Sequence, residues 1–346
     1  MISRFNIRQS AEERESRLSP YATRSCSSRG RLRDEEPCPI RTAFQRDRDR
    51  ILHCKSFRRL KHKTQVFIAP LGDHYVTRLT HTLEVSQLAR TLSRALNLNE
   101  DLTEAISLGH DLGHTPFGHI GEDVLDELYP GGFRHYRQSL RVVDILENDG
   151  RGLNLTWEVR DGIENHSKSG EDIFGQNWTQ TASLEGDICK ISDTIAYINH
   201  DIGDAIRAGI ITEADLPPAA TETLGHSHRQ RINTLVCNII ENSWQVTGPV
   251  KANLKPTIQM SDEIRNAANS LRQFLFDNVY DIVSSRPEAA RAREVIRRLY
   301  DYFSGHEDRL PAEYRRGGYE LERRVVDYIA GMTDQYALNL ADKLAL

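Results

Sequence analysis

Residues 80–114, "THTLEVSQLARTLSRALNLNEDLTEAISLGHDLGH", decide the fold. Leu83, Leu88, Leu92, Ala95 and Leu96 recur at helical spacing on one face, so the first half predicts an amphipathic helix. Asn97 and Asn99 follow as turn and cap residues. Asp101 with Glu104 three positions later has the form of a capping box, opening a second helix that runs to about Leu112 before Gly113. Two helices joined by so short a turn pack antiparallel. His81, at the start of the first, then lies near His110–Asp111 at the end of the second.

The same period extends in both directions. Helical segments are predicted near 119–130, 135–149, 156–167, 184–208, 224–244, 259–284, 289–304 and 320–344. Strand signals are nearly absent. One exception is "QVFIAPLGDHYVTR", residues 65–78, where a Pro and a Gly-Asp separate short β-prone runs and predict a small hairpin or loop. The fold class is therefore all-α, a helical bundle with a minor β-hairpin. Residues 1–40 are polar and turn-rich and predict an irregular, arginine-rich arm with a short helix at most. Residues 41–210 form the expected core, and 211–346 a helical region packing on it.

Composition narrows the function. A chain of 346 residues, 38% hydrophobic and 27% charged, is expected to be globular rather than disordered. No apolar run approaches the ~18 residues of a membrane span, and the arginine-rich start has no apolar signal core, so a cytoplasmic protein is expected. A net charge of −5 argues against a protein built to coat nucleic acid. Charge is uneven, however: the first 50 residues hold 12 arginines against 8 acidic side chains. Cys26, Cys38, Cys54, Cys189 and Cys237 are scattered without metal-type pairing and read as reduced thiols, with Cys189 and Cys237 expected in the core.

Chemistry concentrates in "HDLGHTPFGHIGE", residues 110–122. Imidazole nitrogen and carboxylate oxygen from His110 and Asp111 suit a divalent ion, but two ligands do not close a site. His81 is a third candidate by helix pairing. Asp193 is a fourth, because it lies among Ile188, Ile191, Ile195, Ile198 and Ile202 on a helix expected to be deeply packed, where a carboxylate is costly unless paired. Past Gly113, Pro116 and Gly118 bend the chain, and His119 and Glu122, three apart, share a face. A carboxylate bonded to one imidazole nitrogen raises the basicity of the other, the usual form of a proton-transfer pair. Asp193, Tyr197 and Asp201 repeat every four residues along one face, so Tyr197 and Asp201 line whatever cavity Asp193 meets. Arg78, three before His81, is the best candidate to grip phosphate oxygens. Arg58, Arg59, Lys61 and Lys63 form a basic cluster near Gln65 that faces a triphosphate, an allosteric nucleotide or solvent.

These blocks together resemble the HD-domain metal-dependent phosphohydrolases, and more narrowly the bacterial deoxyguanosinetriphosphate triphosphohydrolase-like proteins. The resemblance rests on "RDRDRILHCKSFRRLKHKTQVF", "GDHYVTRLTHTLEVSQLAR", "NEDLTEAISLGHDLGHTPFGHIGE", "GGFRHYRQSLR" and "ASLEGDICKISDTIAYINHDIGDAIRAG", with a later echo in "VVDYIAGMTDQYA". It implies that His81, His110, Asp111 and Asp193 bind a divalent metal (Mn, Mg, Fe, Co or Zn) and that His119 and Glu122 carry catalysis. By the same resemblance His114 and His135 contact phosphate or assist, Tyr197 packs against the deoxyribose, Asp201 bonds the 3′-hydroxyl and Gln65 touches the sugar. Thr194 departs from the pattern, since vertebrate relatives carry a phosphate-contacting lysine there. The implied activity is hydrolysis of dGTP or other dNTPs to deoxynucleoside and inorganic triphosphate. The implied assembly is a homo-oligomer, a hexamer being favoured, with an allosteric dNTP or single-stranded DNA as further partners. Two readings stand beside it: another HD-type nucleotide phosphohydrolase or phosphodiesterase, and a nucleotide-binding regulator with vestigial activity.

Overall fold

The computed structural model describes residues 6–68, 75–167, 172–175, 178, 180–249, 256–315 and 318–344. Among these residues the structure is helical without a strand. Thr64 and Thr77 make a single antiparallel bridge at the base of the expected hairpin, whose tip, 69–74, lies outside the described residues.

Four helices carry the site. Glu100–Gly109 packs against both Ala43–His53 and Arg78–Ala95, and Arg78–Ala95 packs in turn on the 24-residue helix Leu184–Arg207. The Arg78–Ala95 helix starts where Thr77 and Thr80 cap each other reciprocally, side chain to backbone. It ends at a turn in which Asn97 takes a left-handed φ of 56°. The next helix opens on Asn99, whose side chain accepts from the Leu102 amide at 3.2 Å. The expected Asp101–Glu104 box is not the cap. Both carboxylates point outward to Arg48 Nη1, at 3.1 and 3.2 Å, and tie this helix to Ala43–His53. The second helix stops at Gly109, so His110 and Asp111 occupy the turn that follows it.

Other expectations shift by a face or a break. Leu83 is 49% exposed, and Val85, Leu88, Ala89, Leu92 and Leu96 form the buried stripe instead. The expected 224–244 helix is interrupted at Gly225, where φ is 109°, and the 320–344 helix becomes Leu321–Ala330 and Asp334–Lys343. Within 135–149 the α-helix ends at Arg141 and passes into a π-helical stretch, Val142–Leu146, before left-handed Asn148 and Asp149. Residues Ile7–Glu15 form a short helix in the arm. Cys189 is buried as expected, but Cys237 is exposed; Cys54 is the other buried thiol.

The core separates into two apolar clusters. The larger runs from Phe44 to Val283 and contains the four helices above. The smaller joins Phe117, Ile120, Val124 and Leu125 to Ile296, Leu299, Val325, Ile329 and Ala337. The helix His119–Leu128 is therefore seated on the C-terminal helices rather than on the main bundle. Two polar side chains, half-buried Asp334 and buried Lys63, lock the join. Asp334 accepts from the Phe117 amide at 2.9 Å and from the Thr64 amide at 2.9 Å. Lys63 Nζ donates to the carbonyls of His114 and Ala330. Desolvation of that ammonium lowers its pKa to about 7.

Gly113 is where the turn meets the His135–Arg141 helix. A Cβ there would stand 2.1 Å from Ser139 N and 2.5 Å from the His135 carbonyl oxygen. Backbone cannot yield as a flexible side chain does. Gly113→Ala is expected to lower stability by about 1–3 kcal/mol or more, the range for overpacking a tight contact, measured by chemical denaturation. An unchanged midpoint would mean that this approach is looser than described.

Candidate metal centre

The turn after Gly109 buries Asp111, 3% exposed, against the first turn of the Arg78–Ala95 helix. Its Oδ2 accepts from Arg78 Nη1 at 2.9 Å and lies 3.7 Å from His81 Nε2. Its Oδ1 lies 3.2 Å from His114 Nε2, 3.4 Å from His110 Nε2 and 3.9 Å from His166 Nε2. Asp193 closes one side, with Oδ1 at 3.1 Å from His81 Nε2. His81, His110, Asp111 and Asp193, drawn from separate stretches of the sequence, thus lie in one cluster.

Most of the imidazoles are oriented from behind. His110 Nδ1 donates to the Ser107 carbonyl at 2.6 Å. His166 Nδ1 does the same to Ile163 at 2.6 Å. His81 Nδ1 is 2.9 Å from His200 Nε2, and His200 Nδ1 is 2.8 Å from Asp201 Oδ1. In each case Nε2 is left facing the cluster, the arrangement that holds metal-binding histidines in one tautomer. His110 Nε2 is buried with no hydrogen-bond partner among the described residues, an expense that a cation at that position removes. His81, His110 and Asp111 also have donor atoms close enough together to hold one ion. The residues present fit a divalent metal.

Electrostatics favour the same role. Burial works to raise the Asp111 pKa, but the imidazoles of His110 and His114 and the guanidinium of Arg78 outweigh it and hold the carboxyl well below its usual range. Burial lowers the pKa of His81, against the pull of Asp193, and keeps His114 neutral, with Arg78 adding to the effect. An anionic carboxylate beside neutral imidazoles is the protonation state that metal binding requires.

His119 stands at the mouth, its side chain 68% exposed, with Nδ1 3.3 Å from Glu122 Oε2. Glu122 is buried beneath it, accepts from the His135 amide at 2.9 Å and lies 2.9 Å from His135 Nδ1. The rings of His114 and His135 stack at 4.0 Å. Gly118, with φ of 60°, sets the entry to this helix; a Cβ there would come within 3.0 Å of the Gln65 carbonyl oxygen.

The remaining expected residues are placed as follows. Arg78 is buried and donates to Asp111, to the Thr64 carbonyl at 3.1 Å and to the Gln65 carbonyl at 3.3 Å. It pairs with Asp111 and keeps two of its five N–H donors outside these three bonds. Lys63, from the basic cluster, is likewise spent on carbonyls. The Gln65 side chain is buried, its Oε1 without a hydrogen-bond partner among the described residues. Tyr197 accepts from Arg272 Nε at 3.1 Å, and Asp201 Oδ2 accepts from Tyr280 at 2.6 Å. Arg272 and Tyr280 were absent from the sequence reading, as were His166 and His200. Arg272, Phe276 and Tyr280 repeat every four residues, the same spacing as Asp193, Tyr197 and Asp201, which is the signal that marks them.

The chain is similar to known proteins along nearly its whole length. Residues 78–198 match the HD domain and residues 258–343 the phosphohydrolase-associated domain. A deoxyguanosinetriphosphate triphosphohydrolase-like protein of Caldanaerobacter subterraneus is 56% identical over 337 residues, 96% of this chain and 94% of that protein. Proteins of the same description from Desulfatibacillum aliphaticivorans and Clostridium perfringens are 48% and 49% identical, each over 98% of both chains. Among the described residues no helix is long and apolar enough to cross a membrane.

The pair at the mouth yields a direct titration. The protein crowding His119 lowers its pKa, and the hydrogen bond and charge of Glu122 outweigh this and raise it above 6.5. For a pKa raised on folding, the stabilisation is complete below the unfolded value and is lost as pH rises through the folded value. Glu122→Gln should drop the His119 pKa to 6.5 or below, read from its ring resonances by NMR. An unmoved resonance would remove Glu122 from the pair.

Proposed function

The chain belongs to the deoxyguanosinetriphosphate triphosphohydrolase-like family of HD-domain phosphohydrolases, and on that footing we propose that it hydrolyses dNTPs, dGTP among them, to deoxynucleoside and inorganic triphosphate. The observation that carries this reading is the convergence of His81, His110, Asp111 and Asp193, with the buried His110 Nε2 otherwise unsatisfied. These four residues would hold the divalent ion, and its chemistry there is Lewis-acid charge against a phosphoryl oxygen. Neutral imidazole with carboxylate favours Mn, Fe, Co or Zn over Mg.

The protein's own groups supply the rest. Glu122 orients His119 and keeps a proton on it, so Nε2–H of His119 is the donor to the departing 5′-oxygen. His114 and His135 stand between this donor and Asp111, where the polyphosphate lies in this reading. Tyr197 and Asp201, braced by Arg272 and Tyr280, form the wall for the deoxyribose. A hydroxyl-reading carboxylate in a buried wall discriminates strongly, because an unpaired partner there is costly.

The test is product analysis. Manganese-loaded protein is incubated with each dNTP singly and in pairs, which separates specificity from activation by a second nucleotide. Release of inorganic triphosphate and deoxynucleoside is expected; orthophosphate or pyrophosphate would point to a different HD-type hydrolase, and tight binding without turnover to a regulator. Asp193→Ala should lose metal retention and lower turnover by on the order of 10³-fold or more, as loss of several kcal/mol of charge stabilisation requires. An active Asp193→Ala protein overturns the ligand set.

A further inference from the structure

The segment "VVDYIAGMTDQYA", residues 325–337, has no part in the proposed chemistry, but it grips the turn that leads into His119. Asp334 is the first residue of the helix Asp334–Lys343, where a carboxylate ordinarily complements its own helix dipole. Here Thr333 caps that helix, and both Asp334 oxygens reach across to other segments. Oδ1 accepts from the amide of Phe117, 217 positions away, at 2.9 Å, and Oδ2 accepts from the amide and hydroxyl of Thr64. One side chain therefore joins two segments of the pocket. Phe117 stands just before Gly118 and His119, and the Thr64 carbonyl accepts from Arg78 Nε at 3.1 Å.

The Phe117 bond matters because of the backbone it holds. Phe117 has φ of 63° and Gly118 φ of 60°, so a bulky residue occupies the left-handed region beside a glycine. Such a residue is an outlier that persists only where its surroundings over-determine it. Here its ring is buried with the C-terminal helices, its amide is held by Asp334, and the Gly118 carbonyl accepts from Thr115 Oγ1 at 2.8 Å. The chain passes from this turn directly into His119, whose Nδ1 lies 3.3 Å from Glu122 Oε2, already at the long end for a hydrogen bond. Such a pair tolerates little further displacement. The same C-terminal segment steadies the opposite side: Asp327 accepts from Gln138 and Arg141 on the helix that bears His135, and the Ala330 carbonyl shares Lys63 Nζ with His114.

We propose that Asp334 is a positioning residue for proton transfer at His119: by holding the Phe117 amide it fixes the left-handed turn that sets the His119–Glu122 pair. This rests on the proposed role of His119 and deepens it with a residue from the phosphohydrolase-associated segment.

Asp334→Asn keeps the size of the side chain and one acceptor oxygen, but turns an NH₂ group toward one of the two amides. In the manganese-loaded full chain with dGTP, kcat is expected to fall about 10–100-fold with KM within about threefold, because a displaced proton donor is felt in the transition state and not in binding. Bound manganese should stay at the wild-type content. In Zn²⁺-loaded protein, the His119 ring resonances should titrate at a lower pKa than in the wild type. Glu122, Arg78 and Asp123, the charges that set that pKa, are all retained, so a fall reports lost geometry. Ala337→Gly weakens the same helix without touching the carboxylate, and should lower the denaturation midpoint while kcat stays within about twofold.

An active Asp334→Asn enzyme with unchanged kcat overturns the proposal, as does an unmoved His119 titration, a loss of manganese, or an equal fall of kcat in Ala337→Gly. Should Asp334→Asn fail to fold, hydrogen exchange at the Phe117 amide of the wild type decides in its place. Exchange slowed by about 100-fold or more is expected, and the rate of an exposed amide overturns the proposal. A chain that releases no triphosphate but shows the His119 shift keeps the clamp and loses the activity, so the two failures are distinguishable.

Discussion

A buried carboxylate in the turn after the Glu100–Gly109 helix, Asp111, is the constraint to which the rest of this structure answers. An isolated charge in such a place is severely penalised, and removing one partner from a buried pair typically costs 3–5 kcal/mol. Asp111 is retained because Arg78 bonds one of its oxygens while imidazoles ring the other. That arrangement is expensive as a device for stability, since apolar residues would fill the same space at less risk. It is economical as a device for holding a cation, because the carboxylate stays ionised while burial lowers the pKa of His81 and His114 beside it. The surrounding sequence then reads as support: Thr77 and Asn99 fix where the helices begin, and the Ile188–Ile202 stripe anchors the helix bearing Asp193.

The second half of the chain completes the pocket in two ways. Its last helices seat the His119–Leu128 helix through Ile120, Val124 and Leu125, and Asp334 and Lys63 fix the backbone on either side of Pro116. Its middle helix sends Arg272 and Tyr280 to the Tyr197–Asp201 face. The matched phosphohydrolase-associated segment, 258–343, is thus joined to the HD segment by polar contacts at the site itself. A shift of the C-terminal helices would reach His114 and His119 before it reached Asp111.

Much of this was legible in the sequence, for identifiable reasons. Periodicity located the helices, because one buried face is enough to set a 3.6-residue repeat. The convergence of His81 with His110–Asp111 followed from a short turn between two helices, which leaves them little choice but to pack side by side. The apolar face was misjudged at Leu83, since spacing sets the width of a stripe but not where tertiary packing centres it. Asp101 was read as a cap because its pattern is local, whereas its partner Arg48 lies on another helix. Sequence shows the Arg78 guanidinium near the ligands, but not the Thr64 and Gln65 carbonyls that orient it toward Asp111. His166 gave no signal at all. Its value comes from a ring orientation set by the Ile163 carbonyl and from proximity to Asp111, 55 positions away, which no local pattern encodes.

The central claim is that side chains from two helices and a turn enclose a cation at Asp111. Crystals grown from manganese-loaded protein, measured on both sides of the manganese absorption edge, test it most directly. The account predicts an anomalous peak within about 2.0–2.3 Å of His81, His110, Asp111 and Asp193 donor atoms. No peak in this pocket, or manganese held only by surface carboxylates elsewhere, would contradict it.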